Sequence, residues 1–271
     1  MNGVICRNCE SKCKATELYF KGVKESCKFT AQEYFHIKRC GEGDLFAGKN
    51  ILQSFYYCND FTEKVVIPNC KNFMLDSGAF TFFSAGGQAD WDDYIKRYAK
   101  FINKNDIKLY YELDIDALIG YDKVLYYRAK LEDLTGKPAI PVWHKSRGQD
   151  EFIKMCEQYK YVAVGGIVTK EITQKEHKFF PWFIKTAHAH KAKIHGLGYT
   201  NLTGLTKYKF DSVDSTAWLS GNRFGSVYQF NGKTMIKHGK KEGQRIADQK
   251  AVALHNFKEW AKFQKYAEIH L

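Results

Sequence analysis

Proline is scarce in this chain, at 4 residues in 271, and there is no Ser/Gly linker, no low-complexity tract and no repeat of fixed long period. These absences exclude a linker-joined array and a solenoid. No apolar run approaches the roughly 20 residues that a membrane-spanning helix needs. The opening stretch MNGVICRNCESKCK lacks the apolar core of a signal peptide. The expectation is a cytoplasmic protein, making no use of a membrane, whose cysteines are mostly reduced.

What is present is a 44% hydrophobic composition, enough for a sizeable core, and a net charge of +12 from 42 basic and 30 acidic residues. A surface of that sign attracts polyanions, of which nucleic acid is the usual one. A proteome rich in lysine would give the same balance without any such partner. The densest basic run is Lys237-His-Gly-Lys-Lys241 with Arg245, which suits phosphates or a solvated loop equally.

The composition changes near residue 45. Residues 1–45 are rich in Cys, Lys and Glu and form an N-terminal extension; residues 46–271 form the main domain. In the latter, strand-like runs recur at 50–57, 72–76, 108–114, 139–144, 161–165, 193–198 and 210–214, with helical patterns between most of them. In 92–101, Tyr94, Ile95, Tyr98 and Phe101 share a face, and 179–189 is patterned likewise. Strands alternating with helices predict parallel pairing. Seven or eight such units predict a TIM-type (β/α)8 barrel. The tail reads as a hairpin, 226–236, turning at Asn231-Gly232. A long helix follows over 244–266, with Ile246, Ala253, Phe257, Trp260 and Phe263 inward.

Polar residues collect where these strands end: Asp76-Ser77-Gly78, Glu112 with Asp114 and Asp116, His144-Lys145, Gly165-Gly166, His195-Gly196-Leu197-Gly198, and Asp211 with Asp214. Barrel active sites are built on this carboxyl-end face. One such aspartate is unremarkable as a helix cap; five strands ending this way are not explained by caps. Clustered carboxylates repel, so one is protonated while another stays ionised. Without a metal the pair suits glycosyl transfer or glycoside hydrolysis; with Mg²⁺ it would suit phosphoryl chemistry. The paired glycines let the backbone approach a flat ligand, or simply make tight turns. Tyr110, Tyr111, Phe82, Phe83, Trp143 and Trp218 are aromatic enough to stack on bases, although most aromatics in strands are core.

In the extension, Cys6, Cys9, Cys13, Cys27, His36 and Cys40 have the residue types of a structural zinc site. An iron–sulfur cluster or a set of free thiols remain alternatives. Cys58, Cys70 and Cys156 read as buried spacers.

Asp76-Ser-Gly-Ala-Phe80 resembles the Asp-Ser-Gly-Gly-Phe-Gln motif of the tRNA-guanine transglycosylases. Leu113-Asp114 resembles that family's Phe-Asp, Gly165-Gly166-Ile167 its Gly-Gly-Leu, His195-Gly-Leu-Gly198 its Met-Gly-Val-Gly, and Phe210-Asp-Ser-Val-Asp-Ser215 its Val-Asp-Met-Phe-Asp-Cys. All five stand in the family's order over residues 50 to 220. The resemblance implies that Asp76 is the general base or proton carrier and Asp214 the nucleophile at C1′ of the sugar, with Asp211 a competing choice. It implies that Asp114 grips the guanine-like base, that His144 stands where the family has a Gln touching the base, and that Ser77, Gly78, Phe80, Gly165, Gly166, His195, Gly196 and Gly198 line the substrate. No catalytic cofactor is implied.

The chain departs from the family at Ala79 and Thr81, and no cysteine follows Cys156, where the family's zinc site should follow the nucleophile. The zinc-less tail looks more like the 7-deazaguanine transglycosylases of phages and bacterial islands, which act on DNA. The expected partners are therefore DNA and a 7-deazaguanine base. The same exchange in tRNA is the alternative, and a glycoside hydrolase or a nucleic-acid-binding module are more distant ones.

Overall fold

The computed structural model describes residues 45–84, 90–219, 224–239 and 248–271. The cysteines and His36 of the extension lie outside them, as do Ile246, Arg245 and the side chain of Phe80. The chain groups into two compact units. One holds residues 50–59 and 72–215; the described residues of the other are 45–49, 60–71, 216–219, 224–239 and 248–271.

The first unit is a run of parallel strands interleaved with helices. The strands are β1 (Asn50–Ser54), β2 (Asn72–Asp76), β3 (Leu109–Tyr110), β4 (Val142–Trp143), β5 (Tyr161–Val164), β6 (Lys193–Gly196) and β7 (Ser212–Val213). Each pairs in parallel with the next within β1–β3 and β4–β7. A parallel bridge between Tyr111 and Ile140 joins the two groups. The spatial order is therefore the sequence order, as helical crossovers of one hand produce. Among the described residues no pairing closes β7 onto β1. The strands are shorter than the apolar runs suggested, because several runs end in loop backbone that carries the polar residues.

The sheet curls. Side chains alternate along a strand. Leu52, Met74, Tyr111, Val142 and Ala163 share one apolar cluster on the inner face. Trp143, Val162, Val164 and Ile194 turn outward and pack with Phe152, Met155, Phe180, Phe183 and Ile184 of the helices. The rings of Tyr111, after β3, and His195, on β6, lie 5.7 Å apart. In a flat sheet, strands three apart are separated by roughly 14 Å, so the inner face is strongly concave.

The principal helices are α1 (Trp91–Lys104), α2 (Tyr121–Thr135), α3 (Gly148–Gln158), α4 (Phe180–Ala189) and the shorter α5 (Leu202–Lys207). The Asp90 carboxylate caps α1, accepting from the N–H groups of Asp92 and Asp93. Its buried face carries Tyr94, Ile95, Tyr98 and Ile102. The Tyr94 hydroxyl donates to the Ser77 carbonyl at 2.6 Å, and the Tyr98 hydroxyl lies 3.0 Å from the Leu75 carbonyl. Two helix tyrosines thus fix the end of β2 on either side of Asp76.

In the second unit, β8 (Ser226–Phe230) and β9 (Met235–Gly239) form an antiparallel hairpin. Its loop is longer than the two residues predicted. Asn231 stays outside the strands and its side chain accepts from the N–H groups of Lys233 and Thr234. The terminal helix α6 (Gln249–His270) starts later than predicted, at its cap Asp248. Ala253 and Phe263 are buried as expected, whereas Phe257 and Trp260 are only partly so. The sequence reading missed Asn256 and Glu259, both buried. Asn256 accepts from Tyr228 N–H at 2.8 Å and donates to Ser226 C=O at 3.0 Å, and Glu259 accepts from Phe230 N–H at 2.8 Å. Side chains of α6 therefore supply hydrogen bonds along the edge of β8. Asn256→Ala removes two of these bonds at a buried site. It is expected to lower stability by about 2 kcal/mol, read as a lower urea midpoint with unchanged slope.

Candidate active site

The carboxyl ends of β2, β3, β4, β6 and β7 bring the predicted residues together. Asp76 closes β2, and its Oδ2 accepts from Gly78 N–H at 3.1 Å. Burial pushes its pKa up to about 6, helped by the charges of Asp114 and Asp214, while the Gly78 N–H works against the shift. Asp76 thus feels the charges of two aspartates distant from it in sequence.

Asp214 follows β7. Its Oδ1 accepts from Gly198 N–H at 2.5 Å and lies 3.2 Å from His195 Nε2. The other ring nitrogen, Nδ1, is 2.5 Å from Ser212 Oγ, itself 2.5 Å from the Tyr161 hydroxyl. His195 is only 2% exposed. It stands against the Asp214 carboxylate, at the position where the resemblance puts a substrate-lining residue. Asp211 is elsewhere: its Oδ2 accepts from Ile194 N–H and pairs with His188 of α4 at 2.9 Å. Those partners belong to the start of β6 and the outer helix, the far end of the strand from Asp76.

His144, after β4, sits between two carboxylates. Nε2 is 2.5 Å from Asp114 Oδ1, and Nδ1 is 2.8 Å from Glu171 Oε2. Burial alone would lower its pKa, but the hydrogen bonds to Asp114 and Glu171 and the charges of Asp114 and Asp116 outweigh it and raise the value to about 9. A neutral imidazole donates once; the imidazolium donates to both carboxylates, in keeping with the raised pKa.

Beneath lies a buried ion-pair network. Glu112 pairs with Arg147 at 2.9 Å and Arg128 at 3.2 Å and accepts from Val142 N–H. Arg147 also reaches Asp116 at 3.1 Å and lies over the Tyr121 ring, 4.2 Å from its centroid. Burial pushes the Glu112 pKa up against the pull of both arginines. Glu112, counted from sequence among the strand-end carboxylates, is scaffold.

Ligand atoms of Asp114, Asp116 and His144 lie within 4.8 Å of one another, a spacing open to a divalent ion. Both His144 nitrogens face carboxylates, and Asp116 is held by Arg147 and Ala117 N–H. The group fits an ion-pair cluster better than a coordination sphere, whose histidine must offer a lone pair.

Other predicted residues are placed differently. Ser77 is buried and part of the turn under Tyr94. Gly165 and Gly166 stand close against protein side chains. A Cβ on Gly165 would lie 2.8 Å from His144 Nε2, and one on Gly166 would lie 2.7 Å from Glu171 Oε2. Tyr110, Tyr111 and Trp143 are core; Trp218, in the second unit, packs on Phe257. Cys156 is buried, but Cys58 and Cys70 only partly so. Sequence reasoning missed Glu171, Arg147, Arg128 and Ser212. Glu171 belongs to no motif, and its partner His144 is 27 residues away.

No family model matches the chain, and no curated protein matches it in sequence. Among the described residues, no helix is long and apolar enough to cross a membrane.

Proposed function

We propose that this chain is a base-exchange transglycosylase that replaces guanine in DNA with a 7-deazaguanine, and that its curled parallel sheet is the wall of a TIM-type barrel. The observation that carries the reading is the trio Asp76, Asp114 and Asp214, gathered at strand ends with Asp76 raised to about 6 by burial and by the other two. A carboxyl raised in this way can carry a proton at the pH where enzymes of this kind work, and a second carboxylate beside it can act as nucleophile.

The roles follow from the atoms. Both bonds to Asp214 fall on Oδ1, leaving Oδ2 to attack C1′ of a nucleotide turned out of the stack. The C1′–N bond breaks, its electrons go to the departing guanine, and the protonated Asp76 carboxyl gives that base a proton. The incoming 7-deazaguanine returns a ring proton to Asp76, its nitrogen bonds C1′, and the Asp214 oxygen leaves. Asp114 Oδ1 is engaged by His144; Oδ2 accepts from the N–H groups of the base. Hydrolysis would need a water in place of the second base, and no observation favours it. The net charge of +12 fits a nucleic-acid substrate.

The test incubates the protein with guanine-labelled DNA, or tRNA in parallel, and a panel of 7-deazaguanines, reading incorporation by nucleoside mass spectrometry. Incorporation into DNA is expected. Incorporation into tRNA alone keeps the chemistry and changes the substrate; none in either overturns the reading. Guanine release requires protonated Asp76, so kcat/KM for DNA is expected to fall as pH rises through about 6. Asp76→Asn should remove that limb and slow release by roughly 10²-fold or more.

A further inference from the structure

The segment 166–173 touches both halves of the site. At one point Glu171 Oε2 meets His144 Nδ1 at 2.8 Å, while its Oε1 accepts from Ser146 N–H at 3.3 Å. The same ring meets Asp114 through Nε2. At the other point a Val168 methyl occupies the space a Cβ on Gly198 would need, and Gly198 N–H is the donor to Asp214. The base of the segment is tied by Ile172 N–H to Gly166 C=O at 3.0 Å. Val168 is 73% exposed. It buries too little apolar area to be explained as core.

We propose that segment 166–173 is a two-point clamp: Glu171, acting through His144, sets the Asp114 carboxylate, and Val168, acting over Gly198, sets Asp214. What the two carboxylates do rests on the base-exchange reading; that the segment sets them does not. Glu171 and Val168 are positioning residues. The imidazolium is the strut on one side. Facing it are Asp114 and Asp116 after β3 and Glu171 on the segment, with the Glu112–Arg147 pair beyond Asp116. Neutralising Glu171 leaves one carboxylate to hold the ring, which then turns, and Asp114 loses a fixed donor.

The experiment compares the full-length wild type with Glu171→Gln and Val168→Gly. Glu171→Gln is expected to raise KM for the incoming base roughly tenfold with kcat within about threefold, the loss of one charge-assisted hydrogen bond. Val168→Gly is expected to lower kcat several-fold with that KM unchanged. Both variants should accelerate amide exchange across 166–173. By ¹⁵N NMR the wild-type His144 ring should stay doubly protonated to pH 8, and Glu171→Gln should lower its midpoint by a unit or more. A wild-type midpoint near 6.5, a midpoint unmoved in Glu171→Gln, or the same kinetic change in both variants would overturn the clamp. If the wild type exchanges no base, the base-exchange reading fails, and the midpoint and amide exchange decide the clamp alone.

Discussion

Asp214→Asn is expected to abolish base exchange, by roughly 10³- to 10⁴-fold or more, while DNA affinity stays within a few-fold. The amide keeps the size of the carboxylate. Its carbonyl can still accept from Gly198 N–H, so the turn at Gly196–Gly198 and the packing of His195 need not change. What is lost is the anionic oxygen that bonds C1′. The covalent intermediate should vanish with it: wild type mixed with guanine-containing DNA and no acceptor base should yield a protein–DNA adduct on a denaturing gel, and the variant none. Asp211→Asn is the matched control. Asp211 holds Ile194 N–H and His188 at the other end of the strand, so that variant should be somewhat less stable and exchange at near the wild-type rate. A dead Asp211→Asn beside an active Asp214→Asn would move the nucleophile and with it the placement of the whole site.

The strand ends were legible because a buried parallel strand has no reason to carry charge. Asp76, Asp114, His144 and Asp214 stand out against apolar runs, and the structure gathers all four. The alternation of strands and helices was legible for the same reason: apolar runs of strand length separated by amphipathic stretches such as 91–104. What a run could not show is which of its polar residues faces the pocket. Glu112 and Asp114 are two residues apart and point to the same side of an ideal strand, yet the strand pairing ends at the Tyr111 bridge, before either of them. One carboxylate ends in a buried ion-pair network and the other at the site. Glu171 and Arg147 were illegible because their partners lie 27 and 35 residues away and neither sits in a motif. Asn256 and Glu259 were not among the residues expected inward, since hydrogen bonding to the β8 backbone has no signature in the sequence of α6.

Arg147→Ala is expected to cost about 3–5 kcal/mol of stability, the largest loss of any single change around the site. The guanidinium is 1% exposed and pairs with Glu112 and Asp116 at once. Removing it leaves Glu112, fully buried, facing Arg128 alone. The side chain also covers the Tyr121 ring, so truncation opens a space there as well. The pH dependence follows from the same loss. Burial already raises the Glu112 pKa against two arginines; with one gone it rises further. Between the ordinary glutamate range and that raised value, the folded variant binds a proton that the unfolded chain does not, so its stability falls as pH increases. The deficit against wild type should therefore be smaller at pH 5 than at pH 8 in urea denaturation. Glu112→Gln in the Arg147→Ala background removes the stranded charge and should recover part of the loss at pH 8 and less at pH 5. A deficit independent of pH would assign the cost to lost packing on Tyr121 instead of to the unpaired carboxylate.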